Sequence, residues 1–261
     1  MSYNLIPAER RQRIEEILND QGAVRVDELG RQFDVSEMTI RRDLDILEKN
    51  GHLERTHGGA VAIHYLAGES PYSVKDKANR SLKEAIGREA AKLIEDGETV
   101  FINSGSTTLQ VILHLAYRKG IRVITNNIAA AMALPEDTEL DLILVGGQFR
   151  RQSGCSVGDF ASRVLSEIMP VRAILGTDGL SINAGMTSPI PQEAALTRMM
   201  LERVRGQVVV VADHKKIGRV ASFFTAPVSV IDILVTDRMP DNSVCPDLEE
   251  TGISIISVSS N

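Results

Sequence analysis

Residues 102–110, INSGSTTLQ, concentrate the groups that hold a phosphate. An apolar run, TVFI, ends just as they begin, and a helical pattern starts within them. Ser104, Ser106, Thr107 and Thr108 supply hydroxyls, and Gly105 permits a tight bend. A helix beginning near Thr107 would aim free backbone N–H groups and the positive end of its dipole at this loop. That chemistry suits a phosphate monoester. No Gly-Lys-Ser/Thr follows, so the loop is not a nucleotide-hydrolysing Walker A. The same residues would also serve as an ordinary Ser/Thr helix cap with no ligand, and the loop alone leaves both readings open.

A second set of chemistry-bearing residues lies near the N-terminus. In DVSEMTIRRDLDILEKNGHL, Ile40, Leu44 and Leu47 form an apolar stripe at i, i+4, i+7. At about 100° per residue, Met38 and Arg42 stand nearly opposite Ile40. Thr39 and Asp45 flank them, and Arg41 sits on the shoulder. Arginine can fork onto guanine, threonine can touch a base or phosphate, and methionine can pack on a thymine methyl, so this face suits a major groove. A solvated face of a small helical bundle is the competing reading.

The elements around that face favour DNA. Pro7 starts a helix carrying Ile14, Ile17 and Leu18, and Gly22 stops it. VDELGRQF makes a second helix with Val26, Leu29 and Phe33 inward. A tight turn at Asp34–Val35 leads to the third, N-capped by Ser36 and ended by Gly51. HLERTHGGAVAI then reads as a two-stranded ribbon with Gly58-Gly59 at its turn, which completes a winged helix with Arg55 and His57 on the wing. Charge does not advertise this role. The chain carries −6, and residues 1–60 hold nine Lys/Arg against twelve Asp/Glu. Any nucleic-acid contact must come from basic groups gathered on one face.

Residues 64–76 show no sustained period and read as linker, and a helix starts near Asn79. The expected organisation is a DNA-binding domain over 1–62, a linker over 63–78 and a second domain over 79–261. From residue 99, TVFIN, RVITN, DLILVGG, AILGTDG, VVVVAD, DILVTD and SIISV alternate with helical patterns. Such nearly continuous apolar strands imply an α/β fold with a mostly parallel sheet covered on both faces. Ligands bind such sheets at the carboxyl ends of the strands. Polar residues and glycines recur at those ends: Asn103-Ser104-Gly105, Thr125-Asn126-Asn127, Gly146-Gly147, Asp178-Gly179, Ala212-Asp213 and Thr236-Asp237.

No apolar run approaches the roughly 18 residues that span a bilayer. The N-terminus lacks the charged, apolar, small order of a secretory signal, so a soluble cytoplasmic protein with no membrane partner is expected. Cys155 and Cys245 form no framework and read as buried, inert thiols. The five histidines show no metal-ligand spacing, so no metal and no cofactor are expected.

RRQRIEEIL, VRVDELGRQFDVSEMTIRRDLDILEKNG and LERTHGGAV together resemble the N-terminal domain of the DeoR family of bacterial transcriptional regulators. SGSTT, VITNN, LVGGQFR, GTDGLSINAGMTS, QEAALTRMM and VVVVADHKKIGRVA are similar to that family's effector domain, so the likeness covers nearly the whole chain. The resemblance implies that the helix from Ser36 to Asn50 is the recognition helix, with Thr39, Arg41 and Arg42 at operator DNA. It implies an effector domain related in fold to ribose-5-phosphate isomerase, sensing a phosphorylated sugar or sugar alcohol. The loop 104–108 would hold the phosphate, and Lys216 would bring a positive group. Asn126, Gly147, Arg150 and Asp178 would surround the sugar, with Arg151 a rival to Arg150. Pro189 and Pro191 would stiffen a loop that shapes selectivity. Winged helices read paired half-sites, so a homodimer is expected, or by resemblance a homotetramer. A phosphosugar isomerase-type enzyme with an attached DNA-binding domain is the alternative. Against it, Asp178 in GTDG is followed by Leu180 and Ser181, and NAGMTSP lacks a lysine. The expected protein is therefore a non-enzymatic regulator, most simply a repressor of a carbohydrate catabolic operon.

Overall fold

A computed structural model of the chain describes residues 6–21, 23–50, 52–56, 58–64, 72–77, 79–239, 248 and 251–258. The N-terminal helices are α1 (Pro7–Gln21), α2 (Val26–Phe33) and α3 (Glu37–Lys49). Their stripes meet as expected: Ile14, Leu18, Val26, Leu29, Ile40, Leu44 and Leu47 form one buried cluster. Asp34 ends α2 in the left-handed region, with φ 54°, and its amide donates to Gly30 O. That reversal sets α2 against α3. A buried ion pair orients α3 further, because Arg10 Nε donates to Asp43 Oδ2 at 2.6 Å from α1. Apolar packing alone would let α3 roll, whereas this contact has a direction.

The wing contains one strand more than expected. β2 (Leu53–Thr56) and β3 (Gly59–His64) pair antiparallel, and β1 (Ala23–Arg25), only three residues long, pairs with β3 on its other side. Gly59 corrects the sequence reading. It pairs with Thr56 and with Arg25, so it belongs to the strand and not to the turn. A Cβ at this position would stand 1.9 Å from Val24 O, so only glycine lets β1 approach so closely.

Residues 72–77, within the expected linker, form a short helix, α4 (Tyr72–Lys77). α5 (Arg80–Lys92) follows, then all seven anticipated strands: β4 (Thr99–Ile102), β5 (Arg122–Thr125), β6 (Asp141–Leu144), β9 (Arg172–Gly176), β12 (Gln207–Val211), β15 (Ile233–Thr236) and β16 (Ser254–Ser257). They build one sheet in the order β16-β15-β12-β9-β4-β5-β6, and every ladder in it is parallel. Side chains alternate between its faces. Phe101 joins one buried cluster, while Val100 and Ile102 join the other. α5, α6 (Ser106–His114) and α7 (Ile128–Ala133) cover the second face, and α8 (Asp159–Ser166) and α9 (Pro191–Arg203) cover the first. Pro191 opens α9 at its first helical position, where its missing N–H is not needed. The smaller antiparallel pieces, β7 (Gln148–Arg150) with β8 (Cys155–Val157), and β10 (Gly179–Ser181) with β11 (Gly185–Ser188) and β14 (Phe223–Ala226), carry no long apolar run and were not anticipated. Among the described residues, no helix is long and apolar enough to cross a membrane.

The sheet order places the site. β5 and β6 extend the sheet on one side of β4, and β9, β12, β15 and β16 on the other. Strand order therefore reverses between β4 and β9, and loops leaving their carboxyl ends diverge to opposite faces. A crevice opens between them.

Candidate ligand pocket and nucleic-acid interface

The crevice at this switch point is a cavity of about 290 Å³, lined by residues from Tyr72 to Thr225. Asn103 frames it. Its side chain donates to Gly176 O at 3.0 Å and accepts from Gly176 N at 2.8 Å, tying the end of β4 to the end of β9. It also donates to Thr197 Oγ1 of α9 at 3.2 Å.

Ser104, Gly105, Ser106, Thr107 and Thr108 all line the cavity. Gly105 is the N-cap of α6, and no side chain caps that helix. Leu109 N donates to Gly105 O at 3.0 Å, so the amides of Ser106, Thr107 and Thr108 precede the first closed turn and have no intrahelical partner. The ordinary Ser/Thr cap is thus ruled out here. Thr108 serves the fold instead. Its hydroxyl is buried and donates to Asn103 O at 2.8 Å, which holds the bend. Ser106 and Thr107 are left to face the space.

Five cationic side chains and three carboxylates share this lining: Lys75, Lys83, Lys215, Lys216 and Arg219 against Asp178, Glu193 and Asp213. Asp178 Oδ1 accepts from Lys75 Nζ at 2.8 Å and from Lys216 Nζ at 3.3 Å. Burial alone would push its carboxyl up, but these two ammonium groups, by charge and hydrogen bond, hold it below the usual carboxylate range. Lys83 Nζ donates to Lys75 O and anchors α4 on α5. At the opposite end of the sheet, Glu98 takes a two-pronged contact from Arg172, at 2.9 and 3.0 Å, which clamps β9 to the start of β4. Burial would raise Glu98 as well, yet Arg172 and the Glu95 backbone bring it below its ordinary value.

These two carboxyls set an expectation for acid. Each binds its proton more weakly in the folded chain than in the unfolded one. Their stabilisation is complete above the unfolded carboxylate range, about pH 4–5, and is lost as pH falls through the lower folded values. Calorimetry should find a flat Tm from neutrality to about pH 5 and a steep fall below about pH 4, which Glu98→Gln makes shallower.

The remaining expected ligand contacts lie outside the cavity. Asn126 is buried and donates to Ser156 O at 3.0 Å and Ser104 Oγ at 3.4 Å, so it props the loop from behind. Gly147 is exposed, with its backbone against Val157. Arg150 stands behind Glu193, with Nε 3.5 Å from its Oε1, and orients that carboxylate instead of reaching the space. Arg151 is exposed on a turn. Conversely, Tyr72, Lys75, Lys83, Glu193 and Arg219 line the cavity and were not assigned to a ligand from sequence. None ends a main-sheet strand, so strand-end position does not mark them.

Cys155 is fully buried, and its thiol is pushed up to about 11, first by burial and then by the Glu193 carboxylate. Mass spectrometry after iodoacetamide at neutral pH should find Cys155 unmodified in the native chain and labelled only after denaturation. Cys245 lies outside the described residues.

On the N-terminal side, α3 turns Met38, Arg41, Arg42 and Asp45 outward. Met38 is 74% exposed, which leaves its side chain available to a partner on this face. Ser36 Oγ accepts from Thr39 N at 3.2 Å, and the two hydroxyls lie 2.9 Å apart, so both start the helix and face out at its first turn. Arg41 leans on Glu37 at 3.3 Å. Arg42 makes no ion pair or side-chain hydrogen bond among the described residues. Arg55 folds inward, with Nε 3.3 Å from Asp45 and Nη1 donating to Gly59 O, so it braces the wing against α3 and does not project from it. His57 lies outside the described residues.

Comparison with known proteins identifies the family of each half of the chain. Residues 10–65 match the DeoR-like helix-turn-helix domain, and residues 78–238 match the DeoR C terminal sensor domain. The HTH-type transcriptional regulator GlpR of Haloferax volcanii is 33% identical over 97% of this chain and 98% of its own length. The lactose phosphotransferase system repressor of Lactococcus lactis subsp. lactis is 34% identical over 92% of this chain and 94% of its own. A putative aga operon transcriptional repressor of Escherichia coli O157:H7 is 32% identical over 96% and 94%. Among solved structures, ribose 5-phosphate isomerase A from Methanocaldococcus jannaschii superposes with a TM-score of 0.40 at 20% identity, over 54% of this chain and 55% of that one. So loose a superposition carries no argument about function.

Proposed function

The chain belongs to the DeoR family of DNA-binding transcriptional regulators, and from that premise we propose that it represses a carbohydrate operon and releases it on binding a phosphorylated sugar or sugar alcohol. One observation carries the ligand class: an uncapped helix N-terminus opens into a cavity where cations outnumber carboxylates. Three unpaired amides, a helix dipole and several cations form a site for a compact, doubly charged anion. The polar walls at Thr187, Glu193 and Thr197 suit hydroxyls beyond it. The cavity size fits a small metabolite. The names of the lactose and aga operon relatives support a sugar pathway.

The electrostatics favour binding over turnover. An isomerase base must be poised to take a proton near neutral pH. Asp178 is held below the ordinary range by Lys216 and Lys75, so it is not tuned that way, and Glu193 is engaged by Arg150. Two copies of α3 on paired half-sites supply the operator footprint, so the working form is at least a dimer.

Fluorescence anisotropy on DNA from upstream of the protein's own gene and neighbouring operon tests the reading. It is run at fixed salt with phosphorylated sugars and their unphosphorylated counterparts. A shift with one phosphorylated compound and none with its parent sugar is expected. Conversion of any pentose or hexose phosphate by the purified chain would overturn the non-enzymatic part.

A further inference from the structure

We infer that Arg219 is a direct ligand of the effector's anionic group and that the strand that follows it carries the binding event to the DNA wing. This rests on the sensor reading above and assigns that site a further contact and an output.

Arg219 differs from the other cations of the cavity. Lys75 and Lys216 already share Asp178. Arg219 lines the same space, its Nε is buried without a hydrogen-bond partner, and among the described residues its side chain makes no ion pair. A buried donor left unpaired is destabilising, and a guanidinium is the group best shaped to fork onto a phosphate. An anion seated in the cavity at the start of α6 would meet that demand.

The chain around Arg219 is a strap across the pocket. Gly218 N donates to Leu180 O at 2.7 Å, and Ala221 N donates to Thr187 Oγ1 at 2.9 Å. Gly179, next to Asp178, lets the strap pass: a Cβ there would stand 2.6 Å from Arg219 O. The two residues after Arg219 are strand β13 (Val220–Ala221), and β13 pairs in parallel with the far end of β3, Val220 with Ile63 and Ala221 with His64. β3 is the central strand of the wing. A second tie runs alongside, since Asn183 Nδ2, in the turn between β10 and β11, donates to Arg55 O at 3.3 Å. A cavity-facing cation thus lies next in sequence to a ladder shared with the wing. Drawing Arg219 toward an anion moves the strand that β3 rests on. The linkage is reciprocal, so operator binding also reports back on the affinity of the pocket.

Hydrogen exchange read by mass spectrometry on the full chain tests this. The probes are inorganic phosphate, glycerol 3-phosphate, fructose 1-phosphate, fructose 6-phosphate and ribose 5-phosphate. The probe that slows exchange in residues 103–109 is expected to change exchange in residues 59–64 and 219–222 as well. Arg219→Gln should need about tenfold or more of that probe and, at saturation, should still slow 103–109 while leaving 59–64 unchanged. Arg219→Lys, which keeps the charge without the fork, should lose less affinity and retain the change at 59–64. If the wild type slows 103–109 but leaves 59–64 unchanged, or if Arg219→Gln behaves as wild type, the linkage is wrong and the sensor reading stands. If no probe affects any of these segments, the sensor reading falls and takes the linkage with it.

Discussion

A glutamate in place of Thr107 abolishes the effector response while operator binding persists. Thr107 is the second residue of α6 and lines the cavity, beside amides that no side chain caps. A carboxylate introduced there lies where the phosphate's charge is expected, and it meets the incoming anion with like charge. It also takes up the free amides, which a charged ligand would otherwise use at about 1.5–3 kcal/mol per hydrogen bond. The loss should reach about a hundredfold in effector concentration. The fold should not suffer, because an acidic residue in the first turn stabilises a helix by about 0.3–1 kcal/mol. The measurement is operator anisotropy of Thr107→Glu titrated with the compound that shifts the wild type. An unchanged titration would put the phosphate elsewhere in the molecule.

Arg42→Ala gives the complementary result, with weak DNA binding and intact effector binding. Arg42 lies on the exposed face of α3, opposite buried Ile40, and is not diverted into any ion pair among the described residues. A guanidinium forked onto a base is worth about 1–3 kcal/mol of discrimination, roughly ten- to a hundredfold for each half-site. In a dimer the loss counts twice in free energy. Anisotropy at one fixed salt, on operator and on unrelated duplex, separates lost specificity from lost charge. Equal operator affinity in the variant would mean that α3 does not read the bases.

Much of the architecture is legible in the chain because the inner strands of the main sheet are buried on both faces. Seven apolar β-branched runs became its seven strands, and the helical stripes at Ile14, Leu29 and Ile40 closed the small N-terminal core. β1 escaped because three residues establish no period, and α4 because six residues are too few for a stripe to repeat. The pocket was half legible for a related reason. Strand ends announce themselves by position, and Ser104 to Thr108 and Asp178 were found there. Lys75 and Lys83 reach the cavity through tertiary placement of α4 and α5, which local pattern does not encode. Asn126 and Arg150 carry suitable chemistry but are engaged in protein contacts, Asn126 with Ser156 and Arg150 with Glu193. Residue type alone does not reveal which polar groups the fold keeps for itself.

The ladder between β3 and β13 also bears on how such regulators diversify. It joins the two halves of the chain through main-chain groups, which every residue except proline supplies alike. On the wing side, both this ladder and the Asn183 tie to Arg55 O use only main-chain groups, so a reading head of different specificity grafted onto this body would meet few side-chain demands at the seam. What the graft must preserve is length and phase, because a slip of one residue would hand the body the opposite face of the strand. The seam thus constrains the spacing of the chain more than the side chains that read DNA or line the pocket.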